Sequence, residues 1–112
     1  MIRVARSIYL VQTNAVDGTD TEFSEWYDAV HIPEILGIPG FVAAQRFEFD
    51  PEATTAPAPE FRYVAIYEIE GSGADAAAAL GGALPTLQMS ATLDARRSLV
   101  LYRAITERIT VK

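Results

Sequence analysis

One segment of the chain concentrates the residues that could do acid–base chemistry. Residues 25–41, EWYDAVHIPEILGIPGF, contain the only histidine and the only tryptophan among 112 residues. An imidazole titrates near neutral pH, so His31 is a candidate general base or acid. Tyr27 lies four residues earlier, which places it beside His31 if one helix carries both. The alternative is structural, because His31 could bond a late carbonyl where Pro33 stops the helix.

Four further side chains could line a pocket beside these two. Trp26 belongs to the apolar stripe of the same helix, a pattern that fits a core residue and also the wall of a pocket beneath the helix. Arg46 could hold an anionic or enolate oxygen, or instead form a salt bridge. Tyr9 and Tyr67 lie in the middle of two predicted inner strands. The catalytic candidates are therefore His31 and Tyr27, and the substrate-binding candidates are Tyr9, Trp26, Arg46 and Tyr67.

The sequence contains no pattern typical of other kinds of site. With no cysteine and one histidine, a metal would depend on carboxylates, and no D-x-D or H-x-x-x-H spacing gathers its ligands. The chain has neither a GxGxxG nucleotide loop nor a G-x-S-x-G nucleophile turn. We therefore expect no metal and no cofactor, and chemistry that moves protons.

Composition limits the class of protein. The length predicts a single domain over residues 1–112. A net charge of −6 with scattered basic residues argues against nucleic acid as a partner. No run approaches the roughly 20 apolar residues of a membrane helix. The absence of cysteine fits a reducing compartment, so we expect a cytoplasmic protein without a membrane partner.

Hydrophobic periodicity and turn signals divide the chain into six main elements. Apolar and β-branched runs predict strands over residues 2–12, 41–50, 61–70 and 96–111. Thr19 and Glu22 are spaced as in a capping box, and Pro33 predicts that this first helix ends or kinks near His31. Ser72 and the acid three residues later predict a second helix, which Pro85 kinks or breaks. Residues 51–60 predict a long loop between the middle strands.

This β-α-β-β-α-β order predicts an α+β, ferredoxin-like fold in which both helices cover one face of a four-stranded antiparallel sheet. The segments IYLV, FVAA, YVAIY and LVLY place apolar residues on both faces of every strand. Too few residues remain to build another layer. Because the second face is also apolar, we expect a homodimer in which two sheets pack against each other.

These residues also resemble a known family. Trp26 and Tyr27, followed by His31-x-Pro33, Pro39-Gly40-Phe41 and a strand with Arg46, resemble the EthD-like family of small dimeric α+β barrel proteins. The resemblance covers residues 23–47 by motif and the rest of the chain by element order. It implies a ferredoxin-like subunit, a dimer with a central barrel, and a pocket between the helices and the sheet of each subunit.

The resemblance leaves several activities open. The superfamily includes cofactor-free monooxygenases, cyclases, dehydratases, isomerases, haem-degrading enzymes and members without known activity. This chain departs from its cyclases, which often have several histidines, and from its haem degraders, which usually hold iron through a histidine placed elsewhere. We expect a cofactor-free lyase, isomerase or cyclase acting on a small hydrophobic aromatic or polyketide-like carbonyl compound. A non-catalytic small-ligand-binding or accessory dimer and a cofactor-independent monooxygenase are the alternatives.

Overall fold

The computed structural model describes residues 6–53 and 56–112. Four strands and two helical regions follow one another in the order β-α-β-β-α-β. The strands are β1 (Arg6–Ala15), β2 (Phe41–Glu48), β3 (Tyr63–Glu70) and β4 (Leu93–Arg103). The first helical region comprises α1 (Asp20–Trp26), a π turn (Tyr27–His31) and α2 (Ile32–Leu36), and the second comprises α3 (Gly73–Ala83) and a 3₁₀ turn (Leu84–Thr86).

The four strands form one antiparallel sheet in the order β2-β3-β1-β4. This order confirms the predicted ferredoxin-like fold. The first predicted strand began at residue 2, and its residues 2–5 lie outside the described part of the chain. The fourth strand was predicted to run to residue 111, but it ends at Arg103, and residues 104–112 continue without strand pairing.

The core lies between the helices and one face of the sheet. In β3 the alternate residues Tyr63, Ala65, Tyr67 and Ile69 are buried, as the period of a strand requires. Phe23, from α1, is completely buried against this face. Helix α3 covers the neighbouring part of the sheet with Ala76 and Leu80, among other residues. Both helical regions therefore pack on the same face.

A β-bulge changes which residues of β2 face the helices. Phe41 pairs with Ile69, but the next pair joins Ala43 to Glu68, so the register shifts by one residue between them. Simple alternation predicts Phe41 and Phe47 on one face. The extra residue instead places Arg46, opposite the buried Ala65, on the same face as Phe41 and leaves Phe47 half exposed on the other face.

The first helical region departs from prediction at its start and continues further than one of the two predicted outcomes allowed. Thr19 does not cap α1 with its side chain; its hydroxyl instead donates a 2.6 Å hydrogen bond to the Val16 carbonyl. The helical region continues past Pro33, so of the two outcomes predicted near His31, an end or a kink, the end is wrong. The backbone N–H of Ile32 bonds the Tyr27 carbonyl five residues earlier, so a π turn takes up the irregularity just before the proline.

The second helical region follows its local signals. The Ser72 hydroxyl accepts a 3.1 Å hydrogen bond from the Asp75 backbone N–H, which confirms the predicted cap of α3. The helix gives way to the 3₁₀ turn at Leu84, next to Pro85, as predicted.

The other face of the sheet has an apolar centre, and no layer of the described residues covers it. Strands β1 and β4 present Ile8, Leu10, Val100 and Tyr102 there as cross-strand neighbours. Tyr102 keeps 49% of its surface exposed. Apolar residues thus occupy both faces, as the sequence predicts. No helix in the described ranges has the length and apolar character needed to cross a membrane.

Candidate functional site

A cavity of about 240 Å³ lies between the helical regions and the sheet. It contains His31, Tyr27, Tyr9 and Tyr67, so the fold brings together four of the six residues predicted from the sequence. Most of the remaining wall is aliphatic or aromatic, and includes Val11, Ile35, Phe41, Leu80, Leu93 and Leu99. Such a cavity suits a small apolar ligand held by a few polar groups.

The His31 ring is fixed by two aromatic neighbours from its own helix. It stacks on Trp26, with ring centroids 4.7 Å apart and planes 26° apart. Tyr27 meets it edge-on at 4.9 Å and 81°. The Nδ1 atom of His31 is buried and has no hydrogen-bond partner among the described residues. It is therefore not capping a carbonyl within this part of the chain.

The surroundings of His31 favour the neutral imidazole. Burial lowers the pKa of His31 below its usual 6.5, and the positive charge of Arg97 lowers it further. The carboxylate of Glu34 opposes this shift, but it also accepts hydrogen bonds of 3.0 and 3.2 Å from the Gln88 backbone N–H. At pH 7 the imidazole is therefore unprotonated, which is the form that a general base requires.

Two tyrosine hydroxyls meet in the cavity. The Tyr67 hydroxyl donates to the Tyr27 hydroxyl at 3.4 Å, a long hydrogen bond. Burial raises the pKa of both phenols, so both stay protonated at neutral pH. Because Tyr27 accepts from Tyr67, its own proton remains available to an oxygen atom of a ligand.

Arg46 lies outside the cavity wall, although it is on the same face of the sheet. Its guanidinium forms a 2.9 Å ion pair with Asp28 and donates to the Ser24 hydroxyl at 3.2 Å. It also lies 4.6 Å from the centre of the Tyr27 ring. The structure thus places Arg46 where it supports Tyr27. Asp28, which lies three residues before His31 in the chain, is thus engaged by Arg46.

Trp26 also lies outside the cavity wall and contacts the site through His31. Its indole N–H donates a 2.8 Å hydrogen bond to the Gln88 carbonyl. Together with the bond from Gln88 to Glu34, this ties the segment after α3 to the first helical region. The following residue, Met89, lines the cavity and is half exposed. Trp26 therefore fixes both the histidine ring and one rim of the cavity.

Sequence reasoning missed two polar residues of the wall, Thr13 and Arg97. They are directly opposite each other in the register of β1 and β4. Thr13 is buried, whereas Arg97 is exposed at the solvent side. Strand alternation from Tyr9 could have placed Thr13 on the same face. Arg97 follows Arg96 in a charged stretch, and only the pairing of β4 with β1 shows which of the two faces the cavity.

The described residues contain no group of three or more histidine, aspartate or glutamate side chains that could hold a metal ion. The polar groups of the cavity are one imidazole, three phenols, a hydroxyl and a guanidinium. These groups can accept and donate protons and bind an oxyanion.

Comparison with solved structures identifies the same fold in several proteins. The haem degrader MhuD of Mycobacterium tuberculosis, solved with two haems in its active site, superimposes with a TM-score of 0.61 and 17% identity over 91% of this chain and 98% of its own. An EthD family protein of Bacillus halodurans superimposes with a TM-score of 0.54 and 13% identity, over 94% of this chain and 99% of its own. A dimeric ferredoxin-like protein of unknown function from Thermobifida fusca superimposes with a TM-score of 0.51 and 13% identity, over 93% of this chain and 95% of its own.

At these identities the likeness establishes the fold alone, which is that of the EthD-like and other dimeric ferredoxin-like α+β proteins. No protein-family model matches the chain. A search of curated proteins also finds no match. The resemblance predicted from the residues around His31 therefore agrees with the fold and leaves the activity open.

Proposed function

We propose that this protein is a cofactor-free lyase, isomerase or cyclase that moves a proton on a small hydrophobic carbonyl compound. One observation carries the proposal: a neutral histidine with an unpartnered buried nitrogen forms part of the wall of a mainly apolar cavity. A buried polar atom without a partner is uncommon in a folded protein, and a catalytic role is one reason for such an atom.

The chemistry follows from the two aromatic hydroxyls beside the histidine. The neutral His31 ring removes a proton from a carbon next to the substrate carbonyl, and the C–H electron pair becomes the C=C bond of an enolate. The Tyr27 hydroxyl donates to the enolate oxygen while Tyr67 donates to Tyr27. Few water molecules compete in an apolar cavity, which strengthens this hydrogen bond. Return of the proton from the imidazolium to another atom gives an isomer, or loss of a leaving group gives a lyase product.

The size and lining of the cavity support a compact substrate. A volume of about 240 Å³ is slightly below the range of ordinary ligand pockets. Aromatic side chains at Tyr9 and Phe41, whose ring centroids are 6.3 Å apart, offer flat surfaces to an aromatic or polyketide-like ring.

Proton exchange tests the proposal without knowledge of the product. In D₂O at pH 7 the protein should speed the exchange of the carbonyl-adjacent hydrogens of phenylacetone or 1-tetralone, followed by proton NMR. Replacement of His31 by Asn keeps a polar side chain and removes the base, and should reduce exchange by about 10²- to 10⁴-fold. Circular dichroism and thermal melting would verify that the variant folds. Equal exchange by the variant would disprove the role of His31.

Two alternative functions make different predictions in the same experiment. A cofactor-independent monooxygenase would consume oxygen with an electron-rich phenol, and an oxygen electrode measures this directly. A non-catalytic binding or accessory protein would bind the ketones without exchange. Because the fold also occurs in a haem degrader, a haem titration belongs with these measurements. We expect the absorbance of added haem to be the same with the wild-type protein and with His31→Asn.

We further infer that a second copy of the chain covers the open sheet face. The apolar side chains of this open face include Phe47, which is 46% exposed, and Tyr102. Beyond β4, Ile105 and Ile109 are more than 80% exposed, which adds apolar surface for a partner. A protein of the same fold is described as dimeric. Light scattering should give about twice the 12.2 kDa chain mass, whereas a monomer would contradict the inference.

The cytoplasm remains the proposed location. A chain without cysteine needs no oxidising compartment to form disulfides. Fractionation of the source cells with an antibody to the protein would test this proposal.

A further inference from the structure

Arg97 differs from several arginines of the described chain in its electrostatic surroundings. Arg6, Arg46, Arg62 and Arg96 each have a carboxylate oxygen within ion-pair distance. Arg97 has no ion pair within residues 6–53 and 56–112, although it lies next to Arg96 in β4 and the chain has a net charge of −6. An unneutralised guanidinium in such an acidic chain is available to an anion.

The cavity determines where that anion would lie. Arg97 forms part of the cavity wall at its solvent side, opposite the buried Thr13. Its charge acts on both His31 and Tyr27, because it lowers the pKa of each. The negative charge of Glu34 is engaged by the Gln88 backbone N–H. The apolar interior thus has one cationic end, close enough to influence the groups that would handle the carbonyl.

We propose that Arg97 binds a carboxylate of the substrate, so that the substrate is a hydrophobic carbonyl compound that also carries an acid group. The guanidinium presents paired N–H donors that match the two oxygens of a carboxylate. The charged end of the substrate stays near solvent while its apolar body enters the cavity toward His31. This inference rests on the proposed function, because it names the class of substrate for the same site.

Binding of acids and their matched neutral analogues tests the inference. The probes are benzoate with benzamide, and phenylpyruvate with its methyl ester, titrated by NMR into the wild-type protein at pH 7 and low salt. We expect each acid to bind about tenfold more tightly than its neutral partner. Replacement of Arg97 by Gln should abolish this preference. The matched control is Arg103→Gln, which removes the same charge from the same strand at a position that does not line the cavity.

Each outcome decides for or against the role of Arg97. A preference for the acids that persists in Arg103→Gln and disappears in Arg97→Gln supports it. Equal binding of acid and neutral probes by the wild type, failure of all four probes to bind, or equal losses in both arginine variants would overturn it. Exchange of the neutral ketones by the wild type needs His31 but no acid group on the substrate. If the wild type exchanges the neutral ketones but binds the acids no better than their neutral partners, only this inference is refuted. If the wild type prefers the acids but exchanges no ketone, only the proposed chemistry is refuted.

Discussion

The imidazole of His31 stacks on the indole of Trp26, with their centroids 4.7 Å apart. The two residues are five positions apart, which is one turn of the π segment that begins immediately after Trp26. An α-helix places neighbours three or four residues apart. The wider π turn thus brings the tryptophan under the histidine, and π turns often occur at functional sites.

The rate of proton exchange should depend on pH through His31. Because burial and Arg97 lower the pKa of His31, the active neutral ring should persist below pH 6.5. The exchange rate should be low at acid pH, rise as the ring loses its proton, and level off with an apparent pKa below 6.5. A rate profile measured by NMR tests this expectation. A midpoint above 6.5 would show that the ring is stabilised in its charged form.

The same shift predicts a pH dependence of the free energy of unfolding. In the unfolded chain His31 takes up a proton near pH 6.5, whereas in the folded chain it does so only at lower pH. Between these two values the unfolded state binds more protons, so His31 makes stability fall as pH falls. Urea unfolding at several pH values should show a shallower slope in His31→Asn than in the wild type within this window. Parallel curves would disprove the shift.

Replacement of Trp26 by Phe should weaken the rim of the cavity. The phenyl ring retains part of the stacking on His31 but cannot donate the 2.8 Å hydrogen bond to the Gln88 carbonyl. Loss of this bond should reduce the free energy of unfolding by about 1 kcal/mol. The pKa of His31, measured by NMR, should rise toward 6.5 because the ring becomes more solvated. An unchanged pKa would show that the indole does not shield the histidine.

Arg46 should affect stability more than ligand binding. Its side chain is 15% exposed, and Arg46→Gln removes the charge that contacts Asp28 and the Tyr27 ring, at a cost of about 2 kcal/mol in unfolding free energy. Asp28, at 65% exposure, should contribute less than about 1 kcal/mol when replaced by Asn. Urea denaturation of both variants and the double variant measures the coupling. A large loss of benzoate affinity in a stably folded Arg46→Gln protein would place Arg46 in the ligand site instead.

Two glycines should respond oppositely to replacement by alanine. Gly40 has φ +97°, and a Cβ there would lie 3.0 Å from the Cβ of Ala76 on α3. Gly40→Ala should therefore destabilise the protein by about 2 kcal/mol or more. Gly81 lies in α3 with open space around it, and Gly81→Ala should stabilise the protein by about 0.5 to 1 kcal/mol. Thermal melting of both variants checks the expected signs.

Local signals in the sequence predicted the elements and much of the site. Apolar runs and turn residues determined the order of strands and helices, and the Ser72 cap followed from two side chains three residues apart. The proximity of Tyr27 to His31 followed from helical spacing. Such features depend on neighbours along the chain, so periodicity and capping rules can detect them.

Other features depend on contacts between distant segments, and only the tertiary structure decided them. The bulge after Phe41 arises in the pairing of β2 with β3, and it carries Arg46 to the helix face without bringing it into the cavity. The register of β4 against β1 likewise determines that Arg97 faces the cavity. A shift of one residue in pairing moves a side chain to the opposite face of a sheet. The sequence alone therefore determined which groups were available for chemistry, and the packing of the sheet determined which of them meet.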